Sequence, residues 1–258
     1  MEYRLLPKTD TKISTVGIGS GHLIEAEPKE IERLLAHSYE QDINFLDLAV
    51  PYEQPLTNIA SAIKGKREDW LYQMHLGCIF KNGQYVRSRD RKDVQEGFEN
   101  QLRILGTDYT DFGFIHCVDE EEDFNTILES GVFEYARTLK KQGKIRYLGF
   151  ASHTGELCSR FLDTGEIDAF LFSINPAYDH DATTFYPMQA KAAGDYVSVS
   201  ENRAALYRRC EAQGIGITVM KAFAGGRLLD ERTSPFGQAM TIPQCLQYAL
   251  DQIGRAHV

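Results

Sequence analysis

The stretch QLRILGTDYTDFGFIHCVD, residues 101–119, leads from the end of one regular element through a turn into the next. Its first residues complete a helical pattern that runs from about residue 90 to 105. The run FGFIHC, residues 112–117, is short, apolar and aromatic, as buried strands are. This predicted strand ends at His116. The same order of helix and strand recurs on both sides of the stretch.

Six further apolar runs predict strands, and amphipathic stretches lie between them. The runs are STVGIGSG (14–21), NFLDLA (44–49), LYQMHLG (71–77), IRYLGFAS (145–152), AFLFSIN (169–175) and GITVMKAF (216–223). Helical patterns lie near 28–41, 56–65, 90–105, 124–142, 154–164, 201–213 and 242–252. Seven strand-then-helix units indicate a parallel sheet, because each crossover helix returns the chain to start the next strand in the same direction.

A (β/α)₈ barrel is the leading architecture for this α/β pattern. A doubly wound sheet alternates in the same way, but its first strand normally runs into a glycine-rich phosphate turn that opens a helix. Here GIGSGHLIEAEPKE, residues 17–30, places an acidic loop before the helix, which weakens that alternative. We therefore expect residues 1–252 to form one incomplete barrel domain that lacks the eighth strand and helix.

Three segments lie outside the alternation. YRLLPKTDTKISTVG, residues 3–17, predicts an N-terminal β-hairpin that turns at residues 8–10 and plugs the lower mouth of the barrel. Residues 176–200 have no clear periodicity and are too long for an idle connection, so we expect an active-site loop. Residues 253–258 match the translation of a common sequencing adapter. We expect them to be a non-native tail, with the natural chain continuing past about residue 252.

Composition restricts the partners and the compartment. The net charge of -9 argues against binding to nucleic acids or to anionic membranes, which would need a basic surface. No apolar run approaches the roughly 20 residues of a membrane helix, and the first residues do not resemble a signal peptide, so we expect a cytoplasmic protein. The five cysteines are widely separated and form no Cys-x-x-Cys pair, which indicates reduced thiols rather than disulfides or a zinc site.

Polar residues with catalytic potential recur at the ends of the predicted strands. In a barrel these ends meet at one mouth, where active sites are built. The residues are Asp47, His75, His116, Ser152, His153, Asn175 and Lys221. Each of them alone could be a hydrogen-bonded structural residue or a solvated side chain. Their convergence at one end of one barrel favours a functional site.

Beyond these residues, the chain resembles the aldo-keto reductases over nearly its whole length. NFLDLAVPY (44–52) is similar to the strand motif of that family that holds a catalytic aspartate and tyrosine. QLRILGTDYTDFGFIHCVD is similar to its helix, Leu-Gly-Thr-Asp-Tyr and strand ending in histidine, and is the most specific match. KKQGKIRYLGFASHT (140–154) and VMKAFAGGRLL (219–229) resemble the regions that hold the nicotinamide cofactor.

The resemblance implies an oxidoreductase that reduces an aldehyde or ketone, a small carbonyl substrate, with NADPH or NADH. Tyr52 would donate a proton to the carbonyl oxygen, His116 would orient that oxygen, and Asp47 with His75 would tune Tyr52. The residues implied to bind the cofactor are Gly19, Ser20, Ser152, His153, Asn175, Lys221, Phe223, Gly225 and Gly226.

Two departures from the family pattern matter. His75 stands where the family has a lysine, whose fixed charge lowers the pKa of the catalytic tyrosine. The eighth strand and helix, where the family grips the adenosine phosphate, are also missing. In addition FGFIHCVDEEEDF (112–124), FSINPAYD (172–179) and SPFGQAMT (234–241) resemble a bacterial subgroup that often carries a C-terminal iron–sulfur segment. A full-length parent could therefore hold a 4Fe-4S cluster and engage a redox partner, although this chain has no ligands for one.

Two other functions remain as alternatives. The missing lysine favours a barrel that binds a nicotinamide but has little chemistry of its own, as a sensor or redox subunit would. A metal-dependent hydrolase is the second alternative, because Asp47, His75, His116 and His153 are acceptable zinc ligands at strand ends. The sequence lacks the paired His-x-His that such barrels often use.

Overall fold

Most of the chain forms one curled parallel sheet with helices on its outer face. The computed structural model describes residues 1–180 and 201–252. The strands are β1 (Tyr3–Leu5), β2 (Lys12–Ser14), β3 (Ile18–Gly19), β4 (Phe45–Leu48), β5 (Leu71–Leu76), β6 (Cys78–Lys81), β7 (Gln84–Arg87), β8 (Thr110–Ile115), β9 (Ile145–Ser152), β10 (Ala169–Ser173) and β11 (Gly216–Met220). The sheet has the order β11-β10-β9-β8-β5-β4-β3, and all of its neighbouring strands are parallel.

Helices connect the strands as the periodicity predicts. They are α1 (Pro28–Glu40), α2 (Glu53–Ala62), α3 (Arg91–Leu105), α4 (Glu121–Glu129), α5 (Val132–Lys141), α6 (Gly155–Asp163), α7 (Pro176–Asp179), α8 (Glu201–Gln213) and α9 (Ile242–Gln252). The pattern predicted as one helix over 124–142 is divided in two, because Gly131 adopts a φ of 79° that an α-helix cannot contain. Of the helices that the structure describes, none combines the length and apolar character needed to cross a bilayer.

The predicted barrel class is confirmed, in the form of a curled half-barrel. Seven parallel strands lie in the sheet, and residues 1–180 and 201–252 contain no eighth, so β3 and β11 are its two edges. The first strand is much shorter than the predicted run at 14–21, since only Ile18 and Gly19 pair with β4. Residues 181–200 of the predicted active-site loop and the tail at 253–258 lie outside the described residues.

The N-terminal hairpin closes the lower end of the sheet, as predicted. Strands β1 and β2 pair antiparallel, and Lys8 in the turn has a φ of 63°. Leu6 and Ile13 are buried in an inner cluster that includes Phe112 and Phe114. A Cβ at Gly149 would lie 2.3 Å from the Phe114 ring, so only glycine allows this packing beneath the site.

A second hairpin, formed by β6 and β7, lies directly after β5 and is absent from the sequence-based prediction. Asn82 and Gly83 form its turn with φ angles of 54° and 81°, as a type I′ turn requires. The hairpin is anchored on α3, because the side-chain amide of Gln101 donates to the carbonyl oxygen of Cys78 at 2.8 Å. Ile79 also packs so closely on Gly97 that a Cβ there would lie 2.4 Å from it. The hairpin therefore has a fixed position beside the strand ends.

Candidate active site

Three predicted catalytic residues meet at the carboxyl ends of β4, β5 and β8. The Nε2 atom of His75 lies 2.8 Å from Oδ1 of Asp47. The Nδ1 atoms of His75 and His116 lie 2.9 Å apart. His75 and His116 are only 2% and 8% exposed. Asp47, His75 and His116 therefore form one continuous hydrogen-bonded chain that is largely shielded from solvent.

The hydrogen-bonded chain extends from His116 to Tyr85, a residue that the sequence did not single out. The hydroxyl group of Tyr85, on β7, lies 2.9 Å from Nε2 of His116. Burial raises the pKa of Tyr85 to about 12. The pKa of His116 lies well below its ordinary value, first because of burial and then because of His75 and the Arg89 guanidinium. His116 is therefore a neutral imidazole that links Tyr85 to His75.

A buried glutamine supports this chain from inside the barrel. The side-chain amide of Gln73 donates to Oδ1 of Asp47 at 2.8 Å, and the hydroxyl of Thr218 donates to Oε1 of Gln73 at 2.8 Å. Strand alternation already places Gln73 on the same side of β5 as His75, which was a usable signal. These contacts link β4 and β5 to β11 across the interior.

The predicted proton donor, Tyr52, lies outside the hydrogen-bonded chain of Asp47, His75, His116 and Tyr85. Tyr52 directly precedes α2, and its ring centroid lies 5.3 Å from that of Phe80 on the second hairpin. Within residues 1–180 and 201–252, the Tyr52 hydroxyl makes no hydrogen bond. The structure thus places the Tyr52 ring against the second hairpin. Tyr85, not Tyr52, is the tyrosine whose hydroxyl bonds to His116.

Ser152 and His153, predicted to bind the cofactor, are held by an aspartate that the sequence analysis also missed. The carboxylate of Asp119 accepts hydrogen bonds from the Ser152 hydroxyl at 3.2 Å and from the His153 backbone N–H at 2.8 Å, and lies 3.1 Å from Nδ1 of His153. Burial raises the pKa of Asp119, but the hydrogen bonds from His153 outweigh burial and leave the pKa below its ordinary value. On the other side of the ring, Nε2 of His153 lies 3.0 Å from the Lys221 amine.

Asn175 and Lys221 are connected through the backbone. The buried Asn175 side chain donates to the carbonyl oxygen of Lys221 at 2.9 Å and accepts from the N–H of Tyr178 at 3.0 Å. Lys221 has a φ of 58°, an unfavourable angle for a residue with a side chain. Such backbone strain often accompanies functional sites. Asn175 therefore holds the start of the turn that follows β11.

A cavity of about 430 Å³ lies between the edge strands β3 and β11 and is bordered by α9. Six of the predicted site residues line it: Gly19, Asp47, Lys221, Phe223, Gly225 and Gly226. The neighbouring Ser20 hydroxyl is buried and has no hydrogen-bond partner among the described residues. The remaining predicted residues, including His75, do not line this cavity. The mouth thus has an open side at β3 and β11 and a hydrogen-bonded side at β4, β5 and β8.

Among the described residues, one group of three side chains is close enough to share a metal ion: Cys117, Asp119 and His153. It differs from the ligand set proposed for a hydrolase, with which it shares only His153. Its carboxylate is already bonded to the serine and histidine of the turn after β9, so hydrogen bonding alone accounts for its geometry.

Comparisons with known proteins agree with this fold. The model of the aldo/keto reductase family matches residues 15–252. Aldo-keto reductase YhdN of Bacillus subtilis is 30% identical over 189 residues, which cover 69% of this chain and 54% of that protein. L-galactose dehydrogenase of Arabidopsis thaliana is 26% identical over 184 residues, covering 66% of this chain and 56% of its own. The chain thus spans about half the length of the curated relatives it matches.

Solved structures show the same fold. The holo form of aldo-keto reductase AKR11C1 from Bacillus halodurans superposes with a TM-score of 0.75 at 22% identity, covering 100% of this chain and 85% of that one. The glycerol dehydrogenase AKR11B4 from Gluconobacter oxydans gives a TM-score of 0.63 at 17% identity, covering 94% of this chain and 68% of that one.

Proposed function

Since the chain belongs to the aldo/keto reductase family, we propose that this protein reduces an aldehyde or ketone with NADPH or NADH. Members of the family are oxidoreductases that act on small carbonyl compounds. The chain covers about half the length of its curated relatives. For a longer protein we propose the same activity, together with the iron–sulfur segment and redox partner that the resemblance implies.

The observation that supports catalysis is the buried chain of Asp47, His75 and His116. Reduction of a carbonyl needs a proton for the oxygen as its negative charge develops. The Asp47 carboxylate lies 2.8 Å from Nε2 of His75 and so fixes the orientation of the imidazole ring. His116 then transmits or receives a proton within the same chain.

The residue match with the family assigns the role of proton donor to Tyr52, and this role stays a prediction. The Tyr52 ring packs on Phe80 beside the hydrogen-bonded chain, which keeps it near the mouth. His75, in the position of the family lysine, is bonded to Asp47 as a charge-tuning residue should be. The arrangement is compatible with acid catalysis by a phenol of this mouth.

The open side of the mouth fits a nicotinamide cofactor. Its cavity of about 430 Å³ is within the usual size of cofactor sites, and the unpartnered Ser20 hydroxyl offers a hydrogen bond beside it. A bound, reduced nicotinamide would supply a hydride to the carbonyl carbon. Gly225 and Gly226 would allow close approach of the pyrophosphate. Gly19, Lys221 and Phe223 would line the same cavity.

The carboxamide end of the cofactor is assigned to Ser152, His153 and Asn175. Their polar atoms already have protein partners, which fix the orientation of each side chain before a ligand arrives. Oriented groups lose less conformational entropy when they bind. The assay with both cofactors measures the preference between NADPH and NADH.

The proposal is tested by following NADPH and NADH oxidation with a panel of aldehydes and ketones. We expect turnover by the wild type, and a loss of kcat/KM of at least about 100-fold in Asp47→Asn, because the carboxylate that orients the His75 imidazole is removed. Asp10→Asn, in the exposed hairpin turn at the other end of the barrel, is the control and should match the wild type.

Cofactor binding is measured in parallel by quenching of Trp70 fluorescence or by calorimetry. Binding without turnover on the whole panel would favour the alternative of a sensor or redox subunit, which the exchange of the family lysine for His75 supports. Absence of both binding and turnover would refute the proposal.

A further inference from the structure

The mouth contains two phenols, and only one of them is bonded to the histidine chain. We propose that Tyr85, rather than Tyr52, delivers the proton to the carbonyl oxygen of the substrate, through a relay formed by Asp47, His75, His116 and Tyr85. This inference rests on the proposed carbonyl reduction. It assigns the acid of that reaction to a residue on the second hairpin, outside the motifs that identify the family.

The relay is continuous at hydrogen-bonding distance. Its three links measure 2.8 Å from Asp47 to His75, 2.9 Å from His75 to His116 and 2.9 Å from His116 to the Tyr85 hydroxyl. Each imidazole uses both of its ring nitrogens in these links. Such a relay can shift a proton from His75 to His116 and from His116 to Tyr85 without moving a ring, while Asp47 holds the orientation of His75.

The bond directions define two states of the relay. Before reaction, a protonated His75 donates from Nε2 to Asp47 and from Nδ1 to His116, and His116 donates from Nε2 to the Tyr85 oxygen. The hydroxyl proton of Tyr85 is then free to point at a substrate oxygen. After reaction His75 is neutral, His116 donates from Nδ1 to His75, and Tyr85 donates to Nε2 of His116.

The reaction balances as follows. A bound dihydronicotinamide would supply the hydride and be oxidised, and the carbonyl group would be reduced to an alkoxide. The alkoxide oxygen takes the hydroxyl proton of Tyr85, and the Tyr85 oxygen takes the proton from Nε2 of His116. His116 in turn takes the proton from Nδ1 of His75. The net change is one proton lost from His75, which solvent restores.

The position of Tyr85 suits a donor that faces the mouth. Tyr85 is 42% exposed and its hydroxyl bonds to the buried His116 just after β8, so the side chain runs from the surface to the strand ends. It pairs with Phe80 across the hairpin, and Phe80 packs on the Tyr52 ring. Anchoring of the hairpin on α3 holds the Tyr85 hydroxyl in place before substrate arrives.

The relay also accounts for the histidine at position 75. A lysine has one nitrogen on a flexible stem, whereas an imidazole presents two nitrogens on opposite sides of a rigid ring. A lysine ammonium has three donors and no acceptor, whereas a neutral imidazole can donate to Asp47 from one nitrogen and accept from His116 at the other. The exchange of lysine for histidine is therefore a requirement of the relay rather than a loss.

The test compares Tyr85→Phe with Tyr52→Phe under the NADPH oxidation assay. We expect Tyr85→Phe to lower kcat by about 100-fold or more with little change in KM, because a general acid typically contributes that much. We expect Tyr52→Phe to stay within about 10-fold of the wild type. Tyr3→Phe is the control, since it removes the hydroxyl of a residue of similar exposure, 40%, at the far end of the barrel.

The opposite ranking of the two variants would overturn the inference and leave the proposed reduction intact. A wild type that reduces no carbonyl would refute the reduction and the inference together. Replacement of Tyr85 by a fluorinated tyrosine keeps the ring but lowers the phenol pKa. It should shift the alkaline limb of the pH profile of kcat to lower pH. The same replacement at Tyr52 should leave that limb in place.

A second readout needs neither cofactor nor turnover. In the free protein, ¹⁵N NMR of labelled histidine should show the Nε2 resonance of His116 as a hydrogen-bonded ring nitrogen. Tyr85→Phe should move this resonance towards that of an unbonded nitrogen, and Tyr52→Phe should leave it unchanged. An unchanged His116 resonance in Tyr85→Phe would show that the last link of the relay does not exist.

Discussion

The two sides of the mouth hold their polar groups in different ways. The closed side consists of Asp47, Gln73, His75, His116 and Tyr85, whose polar atoms bond to one another. The open side consists of the turn at 221–226, which borders a cavity of about 430 Å³, and of Ser20, which directly follows the cavity-lining Gly19. The fold therefore fixes in advance the groups that would move a proton, whereas an open cavity lies beside the turn at 221–226.

The largest expected effect is on the closed side, in the variant His75→Lys. Lysine restores the family residue, but its ammonium has three donors and no acceptor, so it cannot accept from Nδ1 of His116 as the relay requires after proton transfer. If the relay carries the proton, kcat for carbonyl reduction falls by about 100-fold or more. Steady-state kinetics at saturating cofactor measures the change.

A control for this exchange is His37→Lys, on the exposed face of α1, which should have the activity of the wild type. A rise in kcat in His75→Lys, together with a new dependence on Tyr52, would show that the family arrangement works here. The relay would then be wrong, and the closed side would be a rigid support for Tyr52 instead.

The second effect is on stability, in the variant Gln73→Leu. Leucine fits the space of a side chain that is 0% exposed, but it leaves the Thr218 hydroxyl without its acceptor and removes one of the two hydrogen-bond partners that Asp47 has in the described part of the chain. We expect the free energy of unfolding to fall by about 3 kcal/mol. Denaturant unfolding monitored by circular dichroism measures it.

The matched exchange is Gln95→Leu, on the surface of α3, where the amide bonds only to Glu99 at 3.2 Å. It should change the free energy of unfolding by less than about 0.5 kcal/mol. Equal effects of the two variants would mean that the closed side is not held more tightly than the surface.

The order of the elements and the placement of the strand-end residues could be predicted from the sequence. Alternating apolar runs and amphipathic stretches report burial directly, so seven parallel strands follow from the pattern. Because strand ends share one edge of the sheet, Asp47, His75 and His116 were expected to meet, and they form one chain.

The partners of these residues could not be predicted in the same way. Tyr85 and His116 are 31 positions apart, and Gln73 and Thr218 are 145 positions apart, so no local pattern links them. The Asn82-Gly83 turn was a readable hairpin signal, yet the hairpin was not predicted. Even with it, the reach of the Tyr85 hydroxyl depends on how the hairpin rests on α3.

A third prediction concerns the junction between the two sides, at Asp119. Its pKa in the folded protein is lowered, chiefly by hydrogen bonds from His153 that outweigh the effect of burial. The carboxylate therefore stabilises the fold at pH values above the ordinary pKa of about 3.9, and this stabilisation is lost as pH falls through the lowered value. Asp119→Asn should lose about 2 kcal/mol at pH 7.

The difference in free energy of unfolding between wild type and Asp119→Asn should shrink as pH falls below 4, because the wild-type carboxyl becomes neutral. Thermal and denaturant unfolding between pH 3 and 7 measure this difference. Asp108→Asn, which removes an exposed carboxylate, serves as the control. A difference that stays constant down to pH 3 would mean that the ionised carboxylate of Asp119 does not stabilise the fold.

The fourth prediction compares two glycines of the open side. Gly226 has a φ of 87°, and Gly19 has a φ of -89°, while a Cβ at either position would meet no atom within 4 Å. Gly226→Ala should therefore lower the free energy of unfolding by about 1 kcal/mol through backbone strain alone. Gly19→Ala should keep or slightly raise it. Similar losses in both variants would point to crowding of the cavity rather than to strain.

The smallest expected effect is at Ser20, and it separates a ligand-ready group from an ordinary buried hydroxyl. The Oγ atoms of Ser20 and Ser130 are both buried, and neither has a hydrogen-bond partner among the described residues, but only Ser20 lies beside the cavity. Removing an unpaired hydroxyl relieves its desolvation cost, so each alanine variant should gain about 0.5 kcal/mol of stability. If the open side binds the cofactor as proposed, Ser20→Ala alone also weakens NADPH binding by several-fold in calorimetry, because Ser20 directly follows the cavity-lining Gly19, whereas Ser130 directly follows α4. Equal affinities in the two variants would place the cofactor away from β3.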